Sequence, residues 1–248
     1  RILYAVFLVL CFSTFSCGNK HERDPEGMIV YQENQTTWVR NFEPLNPVSI
    51  SRWPTRGGIY ESLFLNNPIT TDWTPWLATG YEWRNNNKKL LFNIRSGVEW
   101  SDRKPFSAHD VAYTFNLMKK FPALDSRNSW GFLKSVIAIS DTVIEVDFER
   151  VYVPGFEAIA GAPIIPKHIW SKVDDPLDFS NPNPVGTGPY TEVLRFNSQI
   201  WELGKNPNYW QPGKPHVEKL IFPTFSTNEQ TTLALLSGNL DWAGAFIP

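Results

Sequence analysis

Gly97-Val98-Glu99-Trp100-Ser101-Asp102-Arg103-Lys104-Pro105-Phe106-Ser107-Ala108-His109-Asp110-Val111 is the stretch on which the reading of this chain turns. It begins as the end of a strand, continues as a polar turn and closes as the capped start of a helix. Ser107 stands three residues ahead of Asp110, the spacing at which a hydroxyl and a carboxylate satisfy each other's backbone donors at a helix N-terminus. Val111, Phe115 and Met118 then recur at helical spacing, which predicts a helix over 110–120. Nothing in the stretch is catalytic.

Working outward, 28–31 reads as a first strand, and Glu43-Pro44-Leu45-Asn46-Pro47 interrupts regular structure because proline removes a donor and restricts its predecessor. Residues 58–65 fit either a short helix or the entry to a strand. Residues 89–94 read as a strand, turned into a hairpin by Asn85-Asn86-Asn87. On the other side, 142–148 alternates as a strand does. Residues 174–189, with Pro176, Pro182, Pro184 and Pro189, read as a loop-rich crossing. Strands follow at 200–203 and 219–222, then a helix over 228–236 that Gly238 closes in a left-handed position, then a strand over 240–243. Hairpins before and after helices predict an α/β chain of mixed α+β elements in place of repeated βαβ units.

The 248 residues are enough for one large domain or two modest ones. A hydrophobic fraction of 42% and an aromatic fraction of 15% exclude a disordered chain. The net charge of −2, with Lys88-Lys89 and Lys119-Lys120 read as solvated faces, argues against nucleic acid as a partner. The chain opens at Arg1 and stops at Pro248 directly after a strand-like run, which predicts a piece of a longer protein. Arg1, an apolar run over 2–12 and Ser16-Cys17-Gly18 have the layout of a secretory signal peptide. The run is shorter than the about 20 residues a spanning helix needs. Cys17 stands where a bacterial lipoprotein is cleaved and acylated, although Thr14 occupies a position where Leu is usual; the other reading is an ordinary signal peptide. Cys11 falls inside the removable segment, so the mature chain keeps only Cys17 and has neither an internal disulfide nor a cysteine metal site. An exported, disulfide-free chain fits a large bacterial domain.

Pro184-Val185-Gly186-Thr187-Gly188-Pro189-Tyr190 invites comparison with a phosphate-binding loop, but such a loop ends in Gly-Lys-Ser/Thr and Gly188 is followed by Pro189-Tyr190. It reads as a tight turn before a strand. Lys205-Asn206-Pro207-Asn208-Tyr209-Trp210, with Gly213-Lys214-Pro215, reads as a packed aromatic corner. Leu235-Leu236-Ser237-Gly238-Asn239-Leu240-Asp241 is a helix-to-strand step. His21, His109, His168 and His216 are isolated, no His-Glu-x-x-His or Gly-x-Ser-x-Gly motif occurs, and Asp174-Asp175 is a solvated loop. The chain is therefore read as a non-enzyme without metal or cofactor.

Five segments in order (43–47, 97–111, 184–190, 205–215 and 235–241) resemble the family 5 solute-binding proteins, the peptide and oligosaccharide receptors of ABC importers. The resemblance runs from about residue 28 to 248, with Arg103 standing where the family usually has Gly. It implies a periplasmic-binding-protein-like two-lobed clamshell, of which this chain supplies the first lobe and an inserted subdomain and lacks the second lobe. The expected organisation is a lipoprotein signal peptide at 1–17, a tether at 18–27, lobe I at 28–47 and 163–248, and the inserted subdomain at 48–162. The implied function is extracytoplasmic capture of short oligopeptides and their delivery to the permease, by a monomer held to the membrane through lipid on Cys17. The same role for oligosaccharides is the second reading. It draws on the eleven Trp residues and on Lys120-Phe121-Pro122-Ala123-Leu124-Asp125, which looks like a segment of cello-oligosaccharide-binding members. Rivals from other classes are a surface-anchored glycan-degrading enzyme and a purely structural lipoprotein. By position, Asn41 and Phe42 after the first strand and Trp242 and Phe246 near the chain's end are expected to face the ligand cleft. Trp53 and Trp130 are the aromatic candidates, with Trp73 and Trp76 beside them.

Overall fold

The computed structural model describes residues 27–31, 36–45 and 54–243. The expectations for the leader with Cys11 and Cys17, for His21, and for Trp53 and Phe246 lie outside the described residues. In chain order the strands are β1 (Gly27–Tyr31), β2 (Phe64–Asn66), β3 (Trp73–Pro75), β4 (Ala78–Arg84), β5 (Lys89–Ile94), β6 (Leu133–Ser140), β7 (Val143–Phe148), β8 (Tyr190–Phe196), β9 (Ile200–Lys205), β10 (Lys219–Pro223) and β11 (Trp242–Ala243). The helices are α1 (Ala108–Lys120), α2 (Gly155–Ala160), α3 (Lys167–Trp170) and α4 (Asn228–Leu236), and a short π-helical turn covers Pro54–Ile59. One sheet has the order β11-β1-β10-β9-β8, a second the order β4-β5-β7-β6, and β2 and β3 form a hairpin. β1 is parallel to both β10 and β11, so the chain crosses over β1 through α4 between its two neighbours. One hydrophobic core serves both sheets, with Val30, Trp201 and Phe222 from the first joining Phe92, Ile144 and Val146 from the second.

Local chemistry explains the elements that the sequence marks. Asn85, Asn86 and Asn87 all take positive φ in the β4–β5 turn, a conformation that asparagine tolerates better than most residues. At the start of α1 the backbone N–H of Ser107 donates to Asp110 Oδ2 at 3.0 Å, and the N–H of His109 donates to Ser107 Oγ at 3.3 Å. Val111, Phe115 and Met118 are buried on the face of α1 that packs against β6 and β7. Gly238 follows α4 with φ +72°, the left-handed closure expected of it. β6 and the length of β8 are not legible in the sequence. Both strands carry register shifts that break the alternation of inward and outward residues.

The signature stretch joins distant parts of the chain. Asp110, only 5% exposed, accepts from Lys167 N–H through Oδ1 at 3.0 Å while Oδ2 holds the cap, so one carboxylate ties α1 to α3. Thr114 Oγ1 accepts from Ile165 N–H at 3.2 Å. The turn itself places Arg103 at φ +66°, a left-handed position that accounts physically for glycine being usual there. Ser101 N–H donates to Gly186 O at 2.9 Å, and Gly188 N–H donates to Ile59 O at 2.9 Å. A Cβ on Gly186 would lie 2.0 Å from Ile59 O, and one on Gly188 2.1 Å from Gly58 O. These glycines let two backbones touch; they cradle no anion.

Glu61 sits where these parts meet and is 3% exposed. Its carboxylate accepts from Trp76 Nε1 at 2.6 Å, Tyr209 OH at 2.8 Å and Trp210 Nε1 at 3.0 Å. Its carbonyl accepts from Ile164 N–H at 3.0 Å. Arg95 lies over the Trp210 ring, 4.6 Å from its centroid, and donates from Nε to Trp76 O at 2.7 Å. Burial raises the Glu61 pKa, and the indole and phenol donors only partly offset that rise. The folded state therefore holds the Glu61 proton more tightly than the unfolded chain does. Its contribution to stability is complete below the ordinary carboxyl range, about pH 4.3, and is lost as pH rises through the raised native value. Urea unfolding from pH 4 to 8 should show this downward contribution in the wild type and not in Glu61→Gln. The same variant should be about 1–3 kcal/mol less stable at neutral pH, because an amide cannot accept from all three donors. Equal pH slopes in the two proteins would contradict the assignment.

Candidate functional site

β1, β10 and β11 are parallel, so their carboxyl ends lie at one edge of the sheet. β9 begins beside the end of β10, with Ile200 opposite Pro223, which brings the β8–β9 turn to the same edge. The chain after β1 runs across that turn, with Trp38 N–H donating to Ser198 O at 2.7 Å. In open α/β sheets ligands gather outside the carboxyl ends, where the chain departs to both sides of a strand. β1 is such a strand, flanked by β10 and β11.

The residues expected to face the cleft fare differently. Trp242 is 41% exposed and pairs with Val30 as the first residue of β11. Asn41 lies on the segment that crosses the edge, and its Oδ1 accepts from Glu43 N–H at 2.9 Å. Phe42 is a correction. It is 1% exposed, its ring packs 5.4 Å from Trp201 and 5.9 Å from Phe196, and its carbonyl accepts from Asn181 Nδ2 at 3.0 Å. Following the first strand does not suffice to reach the cleft, because the chain folds back over β8 and β9 and drives Phe42 into the core. Trp130 is half-buried, its Nε1 donates to Phe115 O at 2.8 Å, and Lys119 Nζ lies 4.2 Å from its ring centroid. Trp76 is committed to Glu61, and Trp73 packs edge-on against Phe156. His168 bonds Asp102 at 2.8 Å and His109 lies 3.3 Å from Asp141. Among the described residues no group of three or more His, Cys, Asp or Glu is placed to hold a metal, and no helix is long and apolar enough to cross a membrane.

A cavity of about 260 Å³ opens where Leu45, the π-helical turn, the C-terminal end of α1 and the end of α2 converge. Its charged lining among the described residues is Arg56, Arg127 and Asp125, accompanied by Ser62, Ser126 and Ser129 and by apolar Leu45, Met118 and Leu124. Arg127 donates to Glu157 O at 2.7 Å and Gly161 O at 3.2 Å, so its guanidinium is anchored on carbonyls at the C-terminal end of α2. Burial and the neighbouring Arg56 charge lower the Arg127 pKa, yet a guanidinium stays protonated in proteins. Asp125 Oδ2 accepts from Trp130 N–H at 3.0 Å. Charged groups of both signs thus line this cavity beside hydroxyls and an apolar wall, and of the two guanidinium groups Arg127 is the one anchored on main-chain carbonyls. Sequence reasoning passed over both arginines. They belong to no motif, and the fold alone brings residues 56 and 127 together.

Residues 72–248 match the family model for bacterial extracellular solute-binding proteins, family 5 Middle. The chain belongs to that family. It is 32% identical over 201 residues to the peptidoglycan-binding protein YepA of Agrobacterium fabrum, covering 71% of this chain and 31% of that protein. To the nickel-binding periplasmic protein of Escherichia coli it is 25% identical over 224 residues, covering 84% and 40%. It is also similar to the crystal structure of a mannohexaose-bound periplasmic oligopeptide-binding protein of an oligopeptide ABC transporter from Thermotoga maritima. That comparison gives a TM-score of 0.82 at 28% identity, covering 90% of this chain and 42% of the other. The chain thus spans less than half the length of these relatives, and its mixed α/β fold is part of a periplasmic binding protein.

Core and cleft roles are separable for Phe42. Phe42→Ala should cost about 3–5 kcal/mol in chemical denaturation, the usual effect of emptying a filled aromatic site. A loss under 1 kcal/mol would return Phe42 to the list of ligand-facing side chains.

Proposed function

We propose that the protein is a non-enzymatic, extracytoplasmic receptor that captures short oligopeptides and delivers them to the permease of an ABC importer. Family membership supports the receptor role. The observation that carries the choice of ligand is the likeness to a protein described as the periplasmic oligopeptide-binding protein of an oligopeptide ABC transporter, at a TM-score of 0.82 and 28% identity. On this reading residues 28–47 and 163–248 build one lobe, residues 48–162 are a subdomain inserted into it, and a second lobe closes over the carboxyl-end edge of β1 and β11. Hinge closure around the solute is the motion such a pair of lobes undergoes. Export, acylation of Cys17 and a monomeric state belong to the same proposal.

An oligosaccharide is the second reading, favoured by the mannohexaose in the similar Thermotoga maritima structure and by the exposure of Trp242, whose indole face suits the C–H face of a pyranose. A thermal-shift screen of the whole mature protein against mixed di- to pentapeptides and against cello-, xylo- and malto-oligosaccharides tests the choice. Ligand at about a hundred times its dissociation constant adds about 2.7 kcal/mol to stability, a readable shift. The expected result is a shift with peptides. A shift with one sugar series alone would reverse the ligand class, and silence with every pool would contradict the receptor reading for both.

A further inference from the structure

We propose that Leu233 and Leu236, on the outward face of α4, seat a permanent intramolecular interface. Its occupant is an apolar segment from the part of the longer protein that this chain does not span. The inference goes beyond the receptor reading and is the same for either class of solute.

The helix is built inside out. Its one buried residue is Thr231, whereas Leu233 is 66% exposed and Leu236 80%. At about 3.6 residues per turn, Leu233 and Leu236 share a face with Glu229 and point away from Thr231. Even Leu235, on the Thr231 side, is 37% exposed. A surface helix ordinarily turns its apolar stripe toward the core. Single exposed leucines are common on proteins, but here the helix has almost no apolar burial of its own. That matters because α4 has nine residues, fewer than the about 12–15 at which an isolated helix becomes even marginal in water. Both its ends are well formed all the same. Thr227 Oγ1 accepts from Gln230 N–H at 3.3 Å, and Gly238 closes the other end at φ +72°. The missing stabilisation has to come from a layer packed on the leucines.

The solute cleft does not supply that layer. β10 and β11 both run parallel to β1, so α4, which links them, runs back toward the amino ends of the strands. It carries Leu236 away from the edge where the solute is read to bind, out of reach of a lobe closing over that edge. Among the described residues β11, which α4 contacts, has β1 as its only strand neighbour, so the sheet margin beside the helix is open as well. The chain spans 40% of the Escherichia coli relative and 42% of the Thermotoga maritima structure, which leaves more than half of a protein of this kind to provide the cover. Glu229 is the only charged residue of α4, and an apolar face of this kind suits a lasting interface better than a transient one.

Alkylation of Leu236→Cys in the full-length protein tests the interface, with iodoacetamide as the probe and the modified peptide quantified by mass spectrometry. The thiol should react about tenfold or more slowly than in the same variant unfolded in urea. That protection should be unchanged by the peptide and sugar pools and by hundredfold dilution of the protein. Protection of less than tenfold would overturn the proposal. So would protection that disappears on dilution, which would assign the face to a second copy, or protection that appears only with a solute, which would assign it to lobe closure. Photo-leucine incorporated in place of leucine identifies the occupant, and it carries the test if Leu236→Cys does not fold. Cross-links from Leu233 or Leu236 should join peptides of the same molecule that lie beyond Pro248. Cross-links confined to residues 1–248 or to another copy, or none at all, would overturn the assignment.

Discussion

The carboxylate of Glu61 is the constraint on which the arrangement of this protein depends. It is buried, and the donors facing it are two indoles and a phenol from separate parts of the chain. Hydrogen bonds to a charged group contribute about 1.5–3 kcal/mol each, whereas removing an ion from water costs several kcal/mol. The donors offset only part of the cost of burial, so what Glu61 chiefly specifies is geometry. Trp76 can satisfy it only if the segment before β4 lies beside the corner that holds Tyr209 and Trp210. Through Ile164 the same residue fixes the crossing that leads to α3. The aromatic wealth of the chain serves this purpose in part, since an indole fills volume and still offers one directed donor.

Around Glu61 the motifs behave as docking devices. The signature stretch holds α3 through Asp110 and the glycine turn through Ser101, and the glycine turn in turn seats its backbone against the π-helical turn. Each contact spans dozens of residues and involves main-chain groups on at least one side. On the function proposed above, ligand recognition falls to other positions, first among them the edge where β1 and β11 end. Keeping scaffold and recognition on separate residues allows one fold to accept different solutes. The similar proteins, variously described as peptidoglycan-binding, nickel-binding and mannohexaose-bound, are consistent with that division.

Elements governed by local chemistry were legible in the sequence. The capping box at Ser107 and Asp110, the asparagine turn after β4, and α4 with its closing Gly238 all depend on residues within a few positions of one another. Features set by distant pairing were not. β6 hides behind its register shifts, Phe42 is drawn into the core by β8 and β9, and Arg56 meets Arg127 only after the chain has wound through four strands and a helix. Arg103 lies between these cases. The departure from glycine is visible in the sequence, but its meaning emerges only with the φ of +66° that the fold imposes there.

The docking contacts bind the two sheets into one cooperative unit, and native-state hydrogen exchange tests this most directly. The amides of β5 and β9, together with those of Gly188 and Lys167 that bridge the units, should exchange through one opening with one free energy. Exchange of β5 through a lower-energy opening that leaves β9 protected would mean that the four-stranded sheet unfolds on its own, and would contradict the account.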